Sequence, residues 1–305
     1  MTMKIALSRV WRNVLFRNVS AFVCAVTLLG SFTSFSSVAM ASTLSPVFYL
    51  AIGGSESVGV QPTASDPNGS RTDEGYANDV VANEASLGVT LDLHEIGCPG
   101  ETTTTMIYGG DTCYTPPDSQ LNEAIAFLKS HQGESGLVTI DLGFNNVKTC
   151  LAHLSTLTTC LNQRTMVVSN QLTIIVNALT AVAGPKVTFV GLNHDDPYLA
   201  DSLIGGDGPR ISNASLSMVN DLNQTLRSVY SSLHIPIADV AAAFSLDVAN
   251  SPKLKKNGAA NLRSFEVCQL TWMCALAPYG PNLHPNDAGY LAIADAIEDV
   301  LPPLS

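Results

Sequence analysis

Five short apolar segments, rich in β-branched residues and bounded by turn residues, alternate with stretches of helical periodicity. This alternation restricts the fold more than any other feature of the chain. The segments span residues 47–53, 89–94, 137–142, 186–192 and 235–240. Between them, Leu121, Ala124, Ile125 and Leu128 share a helical face after Pro116-Pro117-Asp118. Leu172, Ile175, Leu179 and Val182 form a second face, and Leu216, Val219, Leu222, Leu226, Val229 and Leu233 a third. A last helix is expected from Tyr290, Ile293, Ile297, Val300 and Leu301, with Asn286-Asp287 at its start. Strands alternating with helices predict βαβ units, hence one α/β domain with a five-stranded parallel sheet. Nearly continuous apolar strands fit a sheet covered on both faces. Ligands then bind beyond the carboxyl ends of the strands. That directs attention to residues 53–59, 94–105, 143–147 and 193–210, and to the loop before the last helix.

Charge excludes some functions. Charged residues make up 13% of the 305-residue chain and hydrophobic residues 46%, which rules out a disordered protein. Fifteen basic residues face 26 acidic ones, a formal charge of −11, so the basic footprint of a nucleic-acid binder is missing. Four of the basic residues, Lys4, Arg9, Arg12 and Arg17, precede an apolar stretch from Ala21 to about Val38. Ala39-Met40-Ala41 follows as a small-x-small cleavage pattern. Residues 1–41 therefore read as a signal peptide and 42–305 as the mature, secreted domain. Serines and a threonine interrupt the apolar run, which argues against a retained membrane anchor. Six cysteines remain in the mature region: Cys98, Cys113, Cys150, Cys160, Cys268 and Cys274. An even count in a secreted chain favours disulfides. Fifteen pairings are open, and bonds between sequence neighbours are the expectation. The rival reading, zinc, has no CxxC to support it.

Four segments, three at strand ends and one before the last helix, carry residues able to do chemistry. Gly53-Gly54-Ser55-Glu56-Ser57-Val58-Gly59 puts a serine in a glycine-rich turn, where a nucleophile can be presented among backbone N–H groups. Gly97-Cys98-Pro99-Gly100-Glu101-Thr102-Thr103 offers a backbone N–H at a helix start. Asp141-Leu142-Gly143-Phe144-Asn145-Asn146 offers a side-chain amide able to donate to a developing oxyanion. Leu283-His284-Pro285-Asn286-Asp287-Ala288-Gly289-Tyr290 sets a histidine before the last helix. Taken singly, these are ordinary turns. No Gly-x-Ser-x-Gly surrounds Ser55, and neither Gly-x-Gly-x-x-Gly nor a phosphate-binding loop occurs.

The order of the four blocks resembles that of the SGNH, or GDSL-like, hydrolases, through "AIGGSESVG", "GCPGETT", "IDLGFNN" and "LHPNDAGY". "TDEGYANDV" is also similar to the first-helix region of secreted bacterial members. The resemblance spans the mature chain and implies a flavodoxin-like three-layer α/β/α sandwich. It implies Ser55 as nucleophile and His284 as general base, with an oxyanion hole from the Ser55 N–H, the Gly100 N–H and the Asn145 side chain. It further implies hydrolysis of an acyl ester, lipid or acylated sugar by a monomeric secreted enzyme, without metal or cofactor.

Three positions depart from the family pattern. Gly54 and Asn146 stand where the family has aspartates, and Pro281 stands three residues before His284, where the family places the triad acid. The lost Asp at position 54 predicts a looser nucleophile loop. The lost triad acid leaves the imidazole to be held by Asn282, by a main-chain oxygen near Pro281, or by Asp195 or Asp196 from another loop. Residues 195–210 are expected to form a flap, His194 to be an ordinary strand-end residue with substrate contact as the lesser reading, and Glu56 to be a solvated turn residue. These departures also support an alternative: a catalytically weakened extracellular binding protein on the same scaffold.

Overall fold

The computed structural model describes residues 47–203, 206–246 and 256–304. The expected leader at 1–41 lies outside the described residues. Strands β1 (Val47–Gly53), β2 (Leu91–Glu95), β3 (Gly136–Asp141), β4 (Val187–Leu192) and β5 (Ile237–Ala238) form one parallel sheet in the order β2-β1-β3-β4-β5. Helices α1 (Tyr76–Ser86), α2 (Thr103–Tyr108), α3 (Gln120–Ser130), α4 (Phe144–Val147), α5 (Leu157–Thr180), α6 (Gly208–Ser232), α7 (Val240–Ala243), α8 (Lys256–Leu270) and α9 (Asp287–Glu298) connect and cover it. This is the doubly wound, flavodoxin-like order.

Every residue of β1 is buried, and alternation along it separates two cores. Phe48, Leu50 and Ile52 join Val138 and Ile140 of β3 beneath α2, α3, α5 and α6, against Met106, Leu128, Leu172 and Leu222. Val47, Tyr49 and Ala51 face the other way, onto Tyr76 and Val80 of α1 and onto Tyr290, Ile293 and Ile297 of α9. Helices therefore cover both faces, giving the three layers.

The structure corrects several boundaries. β5 keeps two of its six expected residues, because Pro236 has no N–H for a ladder and the strand lies at the sheet edge. The chain still bonds there: Gly191 donates to Pro236 O and Asn193 to Ala238 O. α5 starts well before its recognised apolar face, and α8 carries no strong periodicity in the sequence. Ser119, not the preceding Pro-Pro-Asp, caps α3 by accepting from Asn122 N. Asn286 caps α9 as expected, accepting from Gly289 N. The three disulfides join sequence neighbours: Cys98–Cys113, Cys150–Cys160 and Cys268–Cys274. No described helix is long and apolar enough to cross a membrane.

Candidate active site

The chain leaves β1 toward β2 on one side and returns as β3 on the other, so a crevice opens where these two strands end. Register places Gly53 opposite Asp141. The strands close so tightly that a Cβ on Gly53, whose φ is +135°, would sit 2.0 Å from Asp141 O. Gly54 N then donates to Asp141 O at 3.0 Å. Ser55 opens a short 3-10 turn, Glu56–Val58. The turn is tied down from several sides: Ser57 Oγ donates to Gly54 O (2.7 Å), and Val60 N to Ser55 O (3.1 Å). Fully buried Gln120, at the start of α3, grips the Gly53 peptide on both sides. Its Oε1 accepts from Gly53 N at 2.7 Å, and its Nε2 donates to Gly53 O at 3.1 Å and to Glu101 Oε2 at 2.7 Å. These contacts hold the turn where Gly54 offers no carboxylate.

Ser55, Asn145 and His284 line one cavity of about 70 Å³, together with Gly54, Glu56, Glu101, Lys148 and Leu283. Gly143, with φ +122°, turns the chain from β3 into α4 and delivers Asn145. The Asn145 Nδ2 donates to Glu101 O at 3.0 Å and lies 3.1 Å from where a Gly54 Cβ would be. The amide thus occupies the space that Gly54 leaves open, beside Ser55, and its second N–H is free to donate. The Ser55 and Gly100 N–H groups have no acceptor among the described residues. Gly100 sits in an exposed turn with φ +88°. It does not itself line the cavity, whereas its neighbour Glu101 does. Asn146 points away and joins α4 to α2: its Oδ1 accepts from Thr103 N (3.1 Å) and its Nδ2 donates to Thr103 Oγ1 (3.0 Å). Its role is support.

Asn282 holds His284. Its Oδ1 accepts from His284 N at 3.0 Å and lies 2.7 Å from His284 Nδ1. Its Nδ2 donates to Pro67 O at 3.0 Å and Asn68 O at 3.2 Å. Two carbonyls on the nitrogen side fix which way the amide faces, so an oxygen must meet the imidazole. The ring then carries its proton on Nδ1 and leaves Nε2 as a lone-pair acceptor. Burial, aided by the charge of Lys148, pushes the His284 pKa down to about 4, so the ring is neutral at neutral pH.

Asp195 and Asp196 do not reach His284. Both are buried at the end of β4, and Asp196 Oδ2 accepts from Ser215 Oγ at 2.9 Å. The expected flap begins as packed structure, a 3-10 turn over Pro197–Leu203 that buries Pro197, Leu199 and Ala200; α6 starts at Gly208. Residues 204–205 lie outside the described residues. His194 lines the cavity but is buried, with Nε2 3.1 Å from Leu142 O and Nδ1 3.6 Å from Asp141 Oδ1. Glu56 is half-buried in the cavity wall, not solvated. Burial, reinforced by Asp141 and Asp195, raises its pKa well above the usual carboxylate range. Burial also raises Asp141, offset by His194 and by the Ser57 and Gly54 N–H groups. Glu101 is raised to about 8 by burial, against hydrogen bonds from Thr105 and Gln120. Glu56, Asp141 and His194 bring potential ligand atoms within 4.8 Å of one another, one of two such groupings among the described residues. His194 and Asp141 already have partners, so the grouping by itself assigns no ion.

Residues 51–292 match the model of the GDSL-like lipase/acylhydrolase family. The fold is similar to that of an extracellular lipase from Streptomyces rimosus (TM-score 0.53, 16% identity, covering 82% of this chain and 99% of that one). It is also similar to phospholipase A1 from Streptomyces albidoflavus NA297 (TM-score 0.51, 18% identity, 83% and 100%). A third similar structure is the lipase Lip_vut3 from a goat rumen metagenome (TM-score 0.53, 15% identity, 83% and 97%). Among curated proteins, none is similar enough in sequence to count as a match.

Two outcomes follow from this geometry. Asn282→Ala removes the acceptor for Nδ1 and frees the ring, so kcat/KM toward an ester substrate should fall on the order of 10²-fold or more with the fold retained by circular dichroism. The second concerns stability. Burial raises Asp195 to about 7 and both Glu101 and Asp196 to about 8. Folded-state values above the unfolded ones mean that stability is complete at low pH and is lost as pH rises from about 4 through 8. His284 opposes this only between 6.5 and about 4, where the unfolded chain takes a proton that the folded chain refuses. The thermal midpoint measured by calorimetry should therefore be higher at pH 5 than at pH 8.

Proposed function

Because the chain belongs to the GDSL-like lipase/acylhydrolase family, we propose that it is a secreted serine esterase working through Ser55, His284 and Asn282. Ser55 Oγ attacks the acyl carbonyl as His284 Nε2 takes its proton. The oxyanion is met by the Ser55 N–H, the Gly100 N–H and the free N–H of Asn145. His284 returns the proton to the leaving alcohol, and water then releases the acid by the same route in reverse.

The observation that carries this reading is the amide grip on His284. A histidine whose ring is locked in the Nδ1–H form, half-buried in the same cavity as a loop-presented serine, is set up as a base. The neutral amide orients the ring but lends no charge to the imidazolium, so catalysis relies on position more than on electrostatic support. Secretion is supported by the leader pattern at 1–41 and the three disulfides. The lipase and phospholipase descriptions of the similar structures are consistent with an ester or lipid substrate. The alternative, a binding protein, is favoured by the absence of a charged triad member.

Hydrolysis of p-nitrophenyl acyl esters of graded chain length by residues 42–305 separates the two. The esterase reading expects turnover that Ser55→Ala lowers by at least about 10³-fold. Turnover equal in wild type and Ser55→Ala, with both folded, contradicts it and favours the binding protein.

A further inference from the structure

Lys148 is the one lysine lining the candidate active site, in a chain where acidic residues outnumber basic ones 26 to 15. It follows α4 directly and stands three residues after Asn145, one helical turn on and on the same side. It shares the cavity wall with Leu283 and His284. Its side chain is part-buried, and burial lowers its pKa. Among the described residues no carboxylate pairs with its ammonium; the ion pairs found there are His194–Asp141, Arg210–Asp207 and Arg227–Asp239.

The acidic groups around the cavity do not supply a counter-ion. Glu101 is held by Thr105 and Gln120, and Asp141 by His194 and backbone N–H groups. Glu56, the third, is pushed toward its neutral form by burial and by Asp141 and Asp195. A partly desolvated cation without a partner is costly unless an anion arrives with the ligand. Lys148 also lies close enough to His284 to depress its proton affinity, which places its charge beside the base that serves the reacting ester.

We propose that Lys148 is a specificity residue that pairs with a negatively charged group, carboxylate or phosphate, carried by the ester substrate close to the scissile bond. This rests on the esterase reading and narrows it from acyl esters in general to anionic ones. The ammonium, partly removed from water, attracts an anion more strongly than an exposed lysine does, while a neutral isostere leaves it unpaired.

The test compares matched esters. On the acyl side, p-nitrophenyl hemisuccinate is set against its methyl ester. On the alcohol side, p-acetoxybenzoate is set against its methyl ester, and p-acetoxyphenyl phosphate carries the phosphate. The quantity read is the ratio of kcat/KM, anionic over neutral. Wild type should give a ratio above one in at least one arm, which also identifies the side and the anion. Lys148→Gln should lower that ratio about tenfold or more, Lys148→Arg should keep most of it, and added salt should weaken it. A wild-type ratio at or below one in every arm, or a ratio unchanged in Lys148→Gln, overturns the proposal.

Binding of benzoate and of phenyl phosphate to the Ser55→Ala protein, followed by calorimetry, needs no turnover. Should no ester be hydrolysed, the esterase reading fails while this measurement still decides the role of Lys148. Weaker binding when Lys148→Gln is added supports it, and equal binding or none refutes it.

Discussion

The pairing of β1 with β3 is the constraint on which the site depends. It sets Gly53 against Asp141 with no room for a side chain, ends both strands together, and sends the two following turns into one crevice. Ser55 comes from the first turn and Asn145 from the second, so their closeness follows from sheet register. Gln120 reinforces the junction by bonding both faces of the Gly53 peptide, and Asn146 ties the second turn to α2. The remaining partner, His284, is carried in before α9, which packs on the opposite core through Tyr290, Ile293 and Ile297. The two cores, one on each side of the sheet, thus position different parts of the same site.

Within that frame the proposed chemistry turns on an uncharged amide. Pro281 stands where the resemblance puts a carboxylate, and in the proposed mechanism Asn282 orients the ring from the next position. The exchange keeps the tautomer and gives up the charge. Desolvation raises the carboxyls of Glu56, Glu101 and Asp141 and lowers His284 and Lys148.

The sequence made the scaffold legible wherever burial leaves a periodic trace. The bounds expected for β1 match because all seven residues are buried, and α6 was visible as a repeating apolar face although the helix begins earlier, at Gly208. β5 was overextended because Pro236 breaks the ladder without breaking the apolar run. Ser55, Asn145 and His284 sit in turns that look ordinary singly and stood out only through the order of the four blocks, and they do share a cavity. Gly100 was placed by resemblance and lies one residue from the wall. Gln120 left no signal: it reads as an ordinary first residue after a serine cap, and its importance exists only once α3 docks against Gly53. Lys148 was silent for the same reason, since an isolated lysine after a short helix looks like solvent-facing surface. Glu56 misled because burial of a charged turn residue is set by what packs over it, which lies far away in sequence.

Asn282 should fix His284 in the Nδ1–H form with a depressed pKa. Nitrogen-15 NMR of the imidazole, titrated with pH and assigned by comparison with an otherwise identical chain lacking His284, reads both properties at once. The expected result is a neutral ring protonated at Nδ1 at pH 7 and a titration midpoint well below the usual 6.5, near 4. A ring protonated at Nε2, or one that titrates at or above 6.5, would contradict it.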